Sequence, residues 1–353
     1  MLQLAVDYGG SLPIGIEMSG WTLERIRDIR PDIIATLQAL SDTGRIEIIS
    51  GGYNQIIFPL APWQVNRANL LIGQRVFKEI LGEAPTTLLV PEQCWSDALP
   101  LAAYDAGFRN IIMEYHNCAV LHPEWDAEER YRPQLVSVGV DTEPLNLIWS
   151  DGLLWQRFQR HVQAAGPWPA LSKEDYTSEV MSHLATPKDR AIMLYASDAE
   201  VFDYRPGNGI ALNGEWDGIT AVYQRFLIDN VHGRLPRSIP TCVPANNRVL
   251  PNIGTCDTPY PTKKQVKYNI TRWGVSGSAS GVNQQSMDLL RRLGIKPHRE
   301  FDLMQMPGDT AKDVLKIFGS DYRTHTCPEK KQEFAGICDR LEETIRGLWV
   351  MYF

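Results

Sequence analysis

Short apolar runs that alternate with helical segments are the feature that most constrains the fold of this chain. The runs are continuous rather than alternating in polarity, which is typical of parallel strands buried on both faces of a sheet. Six runs have the length and residue types of strands, and they cover residues 13–18, 45–49, 87–90, 110–113, 145–149 and 191–195. Their alternation with helices predicts a parallel sheet with crossover connections, and therefore an α/β fold of the barrel type.

The helical pattern changes along the chain. Segments 22–40 and 62–81 are predicted helices between strands, and a third helix is predicted from an N-cap at Ser96 to Gly107. Near the C-terminus, helices follow one another without strands, at 283–293, 310–318 and 328–348. We therefore expect a catalytic barrel over residues 1–264 and a helical region over residues 265–353.

The segment 235–264 is rich in proline and asparagine and contains no long apolar run. This composition predicts a long surface loop, and long loops in compact domains often cover active sites.

The bulk composition excludes several functional classes. The 353 residues exceed the roughly 250 of one α/β barrel, and the formal net charge of −7 provides no basic surface for nucleic acid. The six cysteines form no C-x-x-C motif, so we expect reduced thiols rather than a metal site. No segment is typical of a signal peptide or a membrane span, so a soluble, cytoplasmic protein that needs no metal or cofactor is expected.

Two carboxylates stand where predicted strands leave the core. Glu92 follows the strand at 87–90, and Asp198 follows the strand at 191–195, with Glu200 two residues further on. Reactive groups of α/β barrels lie at these strand ends, so Glu92 and Asp198 are a candidate catalytic pair. The alternatives are a structural ion pair for Glu92 and a helix N-cap for Asp198.

Three segments carry a resemblance to a known family. GRIEIISGGYNQIIFPLAP, LLVPEQCW and LYASDAEVFDYRPG resemble, in order and approximate spacing, the second, third and fourth signature regions of glycoside hydrolase family 57. That resemblance implies a (β/α)7 barrel with a helical C-terminal region and a retaining activity on α-glycosides. It assigns the nucleophile to Glu92 and the general acid/base to Asp198, and such a pair needs a separation of about 5 to 5.5 Å.

The chain departs from the family pattern at two places. The second region usually presents a glutamate where this chain has Gln55, whose amide can bind a sugar hydroxyl but cannot act as a base. The first region, a His-containing segment at the end of the first barrel strand, has no counterpart in the sequence. The barrel is therefore expected to be incomplete at its N-terminus.

Further residues are candidates for binding the carbohydrate substrate. They follow predicted strands, or they are aromatic side chains on which sugar rings could stack. The candidates are Glu17, Gln55, Trp95, Glu114, His116, Asp151, Glu200 and Trp273. The structural alternatives are a cap or ion pair for Glu17, a helix cap for Asp151, a structural histidine for His116 and core packing for the tryptophans.

Three functions are compatible with these patterns. The leading one is a family 57 type glycosidase or transglycosylase acting on α-linked oligosaccharides or polysaccharides. A metal-dependent deacetylase or α-mannosidase on a related barrel is an alternative, although the chain has no H-x-x-x-H motif and its seven histidines are dispersed. A carbohydrate-binding homologue without catalysis is the third, suggested by Gln55 and by the missing first region. The sequence does not indicate the oligomeric state.

Overall fold

The fold was analysed in a computed structural model of the chain. The structure describes residues 2–163, 171–184, 190–193, 215–243, 249–251, 253–254, 273–274, 278–294, 302–324 and 327–352. Its strands are β1 (Ile14–Met18), β2 (Ile46–Ser50), β3 (Thr87–Leu89), β4 (Asn110–Glu114), β5 (Gln134–Val136), β6 (Leu145–Ser150) and β7 (Val249–Leu250).

Helices connect and follow these strands. Those in the first half of the chain are α1 (Leu2–Tyr8), α2 (Gly20–Ile29), α3 (Pro31–Asp42), α4 (Trp63–Leu81), α5 (Leu99–Asp105), α6 (Tyr115–Ala119) and α7 (Gly152–Gln163). The second half contains α8 (Lys173–Leu184), α9 (Glu215–Ile228), α10 (Ile239–Cys242), α11 (Ser278–Arg292), α12 (Gly308–Ile317), α13 (Asp321–Thr324) and α14 (Pro328–Tyr352).

The seven strands form one mixed sheet in the order β1-β2-β3-β4-β6-β5-β7. Strands β1, β2, β3, β4 and β6 are parallel neighbours, whereas β5 is antiparallel to β6. At the end of β6, Ser150 makes a parallel bridge to Met193, which lies in the predicted strand at 191–195, and residues 194 and 195 lie outside the described residues. The expected α/β barrel with a helical C-terminal region is confirmed, and the short strands β5 and β7 are additions that the sequence did not predict.

Side chains on the inner face of the parallel strands lie in layers. The register aligns Gly15 with Glu47 and Thr87 with Asn110, and one layer of polar side chains runs across the amino ends of the strands. Thr87 donates to Glu47 at 2.5 Å, Asn110 donates to Thr87 at 3.3 Å, and Asn146 donates to Asn110 at 3.1 Å. This hydrogen-bonded chain lets four neighbouring strands bury polar groups without leaving them unsatisfied.

The next layer towards the carboxyl ends is apolar. Ile49, Ile112 and Ile148 are buried there, packed against Leu89, Met193 and Ile239. The apolar layer separates the polar chain at the amino ends from the acidic side chains at the carboxyl ends. The outer face of the same strands packs against the surrounding helices, because successive side chains of a strand point to opposite faces.

Residues 236–242, which belong to the segment predicted as a long loop, lie at the end of the barrel opposite to the carboxyl ends of the strands. Residues Pro236–Ser238 form a short helical turn that leads into α10, and Ile239 enters the apolar layer. The backbone N–H of Arg237 donates to the Glu47 carboxylate at 2.8 Å. Residues 236–242 lie at the surface, as expected, but at the amino ends of the strands rather than over the carboxyl ends, and Ile239 is partly buried there. The predicted boundary at residue 264 lies outside the described residues.

Two helix predictions also need correction. The single helix expected over 22–40 is two helices, because Pro31 begins α3 and a proline excludes the helical conformation from the residue before it. The helix expected to start at an N-cap Ser96 begins at Leu99, and Ser96 contributes only its backbone carbonyl, which accepts from the Leu99 N–H at 2.8 Å.

The C-terminal helices pack on the outside of the barrel against α4. Side chains from α11, α12 and α14 form one buried cluster with Val65, Ala68, Ile72 and Val76 of α4 and with Tyr53, which follows β2. Tyr53 also donates to Glu24 at 3.0 Å, and Lys312 of α12 donates to the same carboxylate at 2.5 Å. The helical region is therefore joined to the barrel next to the segment that follows β2.

We predict that Glu47 makes stability fall as pH rises. Burial raises the pKa of this carboxyl above its ordinary value of 4.5, so the folded chain binds the proton more tightly than the unfolded chain does. The free energy of unfolding of the wild type, minus that of Glu47→Gln, should be larger at acidic pH and should decrease from about pH 4.5 upwards. Urea unfolding across that range measures it, with the exposed Glu83→Gln as a matched control. A difference that grew with pH would contradict the prediction.

Candidate active site

Acidic side chains gather at the carboxyl ends of the parallel strands. Glu17 is near the end of β1, Glu92 follows β3, Glu114 ends β4, and Asp151 follows β6. We call this end of the sheet the barrel mouth. The parallel register brings these strand ends to one edge of the fold, as the sequence predicted.

Glu92 stands in a backbone conformation that side chains rarely adopt. Its φ is 54° and its ψ is 9°, and Gln93 follows with a φ of 56°. Neither residue is glycine, so the two consecutive left-handed residues carry a cost on the order of 1–3 kcal/mol each. Such strain persists where the surrounding structure determines it, and it clusters at active sites.

Residues before and after Glu92 fix the strained turn. Gln93 donates from its side chain to the Val90 carbonyl at 2.9 Å and from its backbone to the same oxygen at 3.0 Å. Trp95 is 1% exposed and anchors the chain after the turn in the core outside the sheet. The half-buried Glu92 therefore lies at the barrel mouth in a turn whose neighbours are fixed in the core.

Glu17 and Gln55 form a pair at the barrel mouth. The Gln55 amide donates to the two oxygens of Glu17 at 3.2 and 3.5 Å. Gly51 makes room for the pair, because a Cβ atom at position 51 would lie 2.5 Å from a Glu17 oxygen. The two predicted substrate-binding residues therefore lie together, with Gln55 exposed and Glu17 half-buried.

The turn that carries Gln55 is fixed by α4. The Asn69 side chain accepts from the Asn54 N–H at 2.8 Å and donates to the Asn54 carbonyl at 2.9 Å. Gly52 has a φ of 97°, and Gly73 of α4 packs so close that a Cβ there would lie 2.7 Å from the Gly52 backbone. The sequence signal for this packing is the GGYN motif, although the sequence analysis did not identify Asn69 as its partner.

Glu114 is buried between two strand ends. It is 1% exposed, and its carboxylate accepts from the Ser150 hydroxyl at 3.1 Å and from the Gly152 N–H at 3.0 Å. A Cβ at Gly152 would lie 3.0 Å from that carboxylate, so a side chain there would crowd it. Through these contacts Glu114 joins the end of β4 to the start of α7.

His116 and Asp151 are in contact, as their positions after neighbouring strands allow. The His116 Nε2 atom lies 3.3 Å from Asp151 Oδ1, and the Arg130 guanidinium lies 3.7 Å from the other oxygen. Asp151 also caps α7 by accepting from the Leu153 and Leu154 N–H groups. Burial raises the pKa of the Asp151 carboxyl, but the His116 hydrogen bond, the Leu154 N–H and the Arg130 charge together bring it below its ordinary value.

The sequence analysis missed the cationic side of this cluster. Arg130 donates to the Tyr131 hydroxyl, and that hydroxyl is 2.5 Å from Nδ1 of His183. Arg130 and Arg190 both lie over the Tyr131 ring, at 4.7 and 4.8 Å from its centroid. No spacing in the sequence indicated these contacts, because three separate segments supply the residues.

The remaining predicted site residues are either buried or undescribed. Trp95 is 1% exposed and Trp273 is 3% exposed, so both match the core-packing alternative rather than a surface for stacking sugars. Asp198 and Glu200 lie outside the described residues, five and seven positions after Met193. The assignment of substrate-binding and catalytic roles stays a prediction.

Among the described residues, no group of three or more His, Cys, Asp or Glu side chains could hold a metal ion. In the same residues, no helix is long and apolar enough to cross a membrane.

Comparisons with known proteins extend the resemblance seen in the sequence. The model of glycosyl hydrolase family 57 matches residues 2–214. Alpha-amylase 1 of Dictyoglomus thermophilum is 24% identical over 107 residues, which are 29% of this chain and 15% of the amylase.

Two solved structures illustrate the shared fold. The 4-alpha-glucanotransferase of Thermococcus litoralis superposes with a TM-score of 0.57 at 14% identity, covering 92% of this chain and 51% of that enzyme. An alpha-mannosidase of Enterococcus faecalis superposes with a TM-score of 0.59 at 12% identity, covering 98% of this chain and 38% of the mannosidase. The chain thus spans about half the length, or less, of these relatives.

The family match covers more than half of the chain and includes the segments at Gln55, Glu92 and Asp198. This chain belongs to glycosyl hydrolase family 57, as the three sequence segments predicted.

Asp151 provides a test of the charge cluster at the barrel mouth. Its folded-state pKa lies below the ordinary value of 3.8, so its charge contributes stability above that pH, and the contribution is lost as pH falls through the lower folded-state value. Replacement by Asn keeps the cap but removes the charge facing His116 and Arg130. We expect Asp151→Asn to lower the free energy of unfolding by about 1–3 kcal/mol near neutral pH.

Chemical denaturation of wild type and Asp151→Asn, from about pH 3 to about pH 7, measures this dependence. Asp126→Asn is the matched control, because Asp126 caps a neighbouring turn by accepting from the Glu128 N–H at 3.0 Å. A stability loss at Asp151 that stayed constant across the acidic range would contradict the predicted charge contribution.

Proposed function

We propose that this chain is a retaining hydrolase or transglycosylase of α-linked oligosaccharides or polysaccharides. The observation that carries the proposal is the left-handed backbone at Glu92, which presents a carboxylate at the barrel mouth inside a segment matched by the family. Two relatives are by name an alpha-amylase and a 4-alpha-glucanotransferase, that is, a hydrolase and a transferase of α-linked glucans. Their activities support the same substrate class for this chain.

The proposed reaction has two displacement steps. Glu92 attacks the anomeric carbon with a carboxylate oxygen while the bond to the leaving sugar breaks, and Asp198 gives its proton to the leaving oxygen. Asp198 then removes a proton from water, or from the hydroxyl of an acceptor sugar. That oxygen attacks the anomeric carbon and releases Glu92, so that the product keeps its configuration.

Glu17 and Gln55 are proposed to hold a sugar hydroxyl near this carbon. A hydroxyl both donates and accepts, and the pair offers carboxylate oxygens as acceptors beside an amide donor. Gln55 replaces the family's usual glutamate, and Glu17 on the neighbouring strand supplies a carboxylate in contact with it. The pair therefore keeps one negative charge at this place.

The roles of the two acids can be distinguished by azide rescue. Glu92→Ala should lose at least about 10³-fold in turnover, because it removes the nucleophile. Azide should restore turnover by attacking from the face that Glu92 occupied, giving a β-glycosyl azide from an α-linked substrate with an activated leaving group. Asp198→Ala should also lose turnover, but azide should there give the α-glycosyl azide after the covalent intermediate forms.

NMR of the azide products measures their anomeric configuration, and each of the two variants serves as the control for the other. Exchanged product configurations would overturn the role assignment. Binding of α-glucan without turnover in the wild type would instead favour the carbohydrate-binding alternative.

The Glu17–Gln55 pair can be tested by exchanging its members. Glu17→Gln places two amides together, and Gln55→Glu places two carboxylates together, so each single change should raise KM for a maltooligosaccharide. The double variant restores one amide and one carboxylate, and we expect it to recover part of the loss, with a coupling of about 0.5–3 kcal/mol. Steady-state kinetics of the four proteins measures this, and strictly additive effects would show that the pair does not act as a unit.

A further inference from the structure

Arg323 is a buried cation in the C-terminal helical region. It is 5% exposed, and its guanidinium donates to the Ile317 carbonyl at 3.0 Å, the Gly319 carbonyl at 2.8 Å and the Asn283 side chain at 2.6 Å. A fourth donor faces the Ser286 hydroxyl at 3.4 Å. Among the described residues, no carboxylate lies within ion-pair distance of it.

The carbonyls that Arg323 binds belong to the last residue of α12, Ile317, and to Gly319 just after it. The last carbonyls of a helix have no hydrogen-bond partner inside the helix, and they carry the negative end of its dipole. A guanidinium at this place supplies the missing donors and a complementary charge. A buried charge is costly unless it is fully hydrogen-bonded, and here its partners are spread over α11 and the α12 end. We call residues 317–320 the α12 exit.

The α12 exit is also in contact with the turn that carries Gln55. The Ser320 N–H donates to the Gln55 carbonyl at 2.7 Å, and Gly319 forms an antiparallel bridge with Ile56. A Cβ at Gly319 would lie 2.5 Å from the Asn54 side-chain nitrogen, so the approach requires glycine. One face of the α12 exit therefore binds Arg323, and the other binds the backbone of Gln55.

We propose that Arg323 is a positioning residue for Gln55 and, through it, for the Glu17–Gln55 pair at the barrel mouth. This inference rests on the proposed function, in which that pair holds a sugar hydroxyl. Arg323 fixes the Gly319 carbonyl, Ser320 fixes the Gln55 carbonyl, and the Gln55 amide reaches Glu17. The helical region thereby sets the geometry of a substrate contact although none of its described helices supplies a side chain to that pair.

A matched arginine separates this role from general stabilisation. Arg340 of α14 binds Asp313 of α12 with two hydrogen bonds, at 2.8 and 2.9 Å. It joins α14 to α12 within the same helical region but does not contact the α12 exit in any of its hydrogen bonds, and 55% of its side chain is exposed. Arg340→Met should therefore lower the thermal midpoint slightly and leave KM unchanged.

The test compares Arg323→Met, Arg323→Lys and Arg340→Met, each with and without Gln55→Ala. Arg323→Met should raise KM for maltoheptaose by about tenfold, a change of about 1.4 kcal/mol, with a smaller effect on kcat. Arg323→Lys keeps the charge but lacks the planar fork of donors, so it should give an intermediate KM. In the Gln55→Ala background, the KM effect of both Arg323 variants should disappear, since the contact they position is gone.

Hydrogen exchange provides a readout that does not depend on turnover. Amides of residues 50–57 should exchange faster in both Arg323 variants than in the wild type and in Arg340→Met. Arg323→Lys keeps the inference testable if Arg323→Met fails to fold. Unchanged exchange at 50–57, or KM effects that simply add to those of Gln55→Ala, would overturn it. A wild type that neither binds nor turns over α-glucan would instead refute the proposed function. Hydrogen exchange at residues 50–57 would still show whether Arg323 fixes the segment that carries Gln55.

Discussion

The parallel register of five strands is the constraint on which the rest of this structure depends. It aligns inner-face side chains in layers, so that polar groups occur at both ends of the barrel and isoleucines fill the layer between them. The Glu47 carboxylate at the amino end accepts hydrogen bonds from the Thr87 hydroxyl and from the Arg237 N–H, and the second bond joins residues 236–242 to the barrel. The acids of the candidate site lie at the opposite, carboxyl ends of the same strands.

Unusual backbone conformations and close backbone contacts form the candidate site. Glu92 and Gln93 hold consecutive left-handed conformations at a cost that only tightly fixed neighbours sustain. At the next strand, Gly51 leaves space for the Glu17 carboxylate that accepts from Gln55. In both places the position of a reactive or polar group follows from how closely the backbone is packed around it.

The C-terminal helices are part of this arrangement rather than an addition to it. Their buried cluster includes α4 and Tyr53, and α4 in turn supplies Asn69, which binds both polar backbone atoms of Asn54. Arg323 binds the same junction from the opposite side. Packing and polar contacts therefore meet at the segment after β2, which also carries Gln55 of the candidate site.

The sequence by itself determined strands β1 to β4 and β6, the fold class and the family, because continuous apolar runs and short motifs are local properties. It also placed Glu17, Glu92 and Asp151 at strand ends. Only the tertiary structure decided that Glu114 is buried between strands and that Arg237 and Ile239 contact the inner side chains near the amino ends of the strands. Contacts between distant segments depend on packing geometry, and no spacing along a single chain encodes that geometry directly.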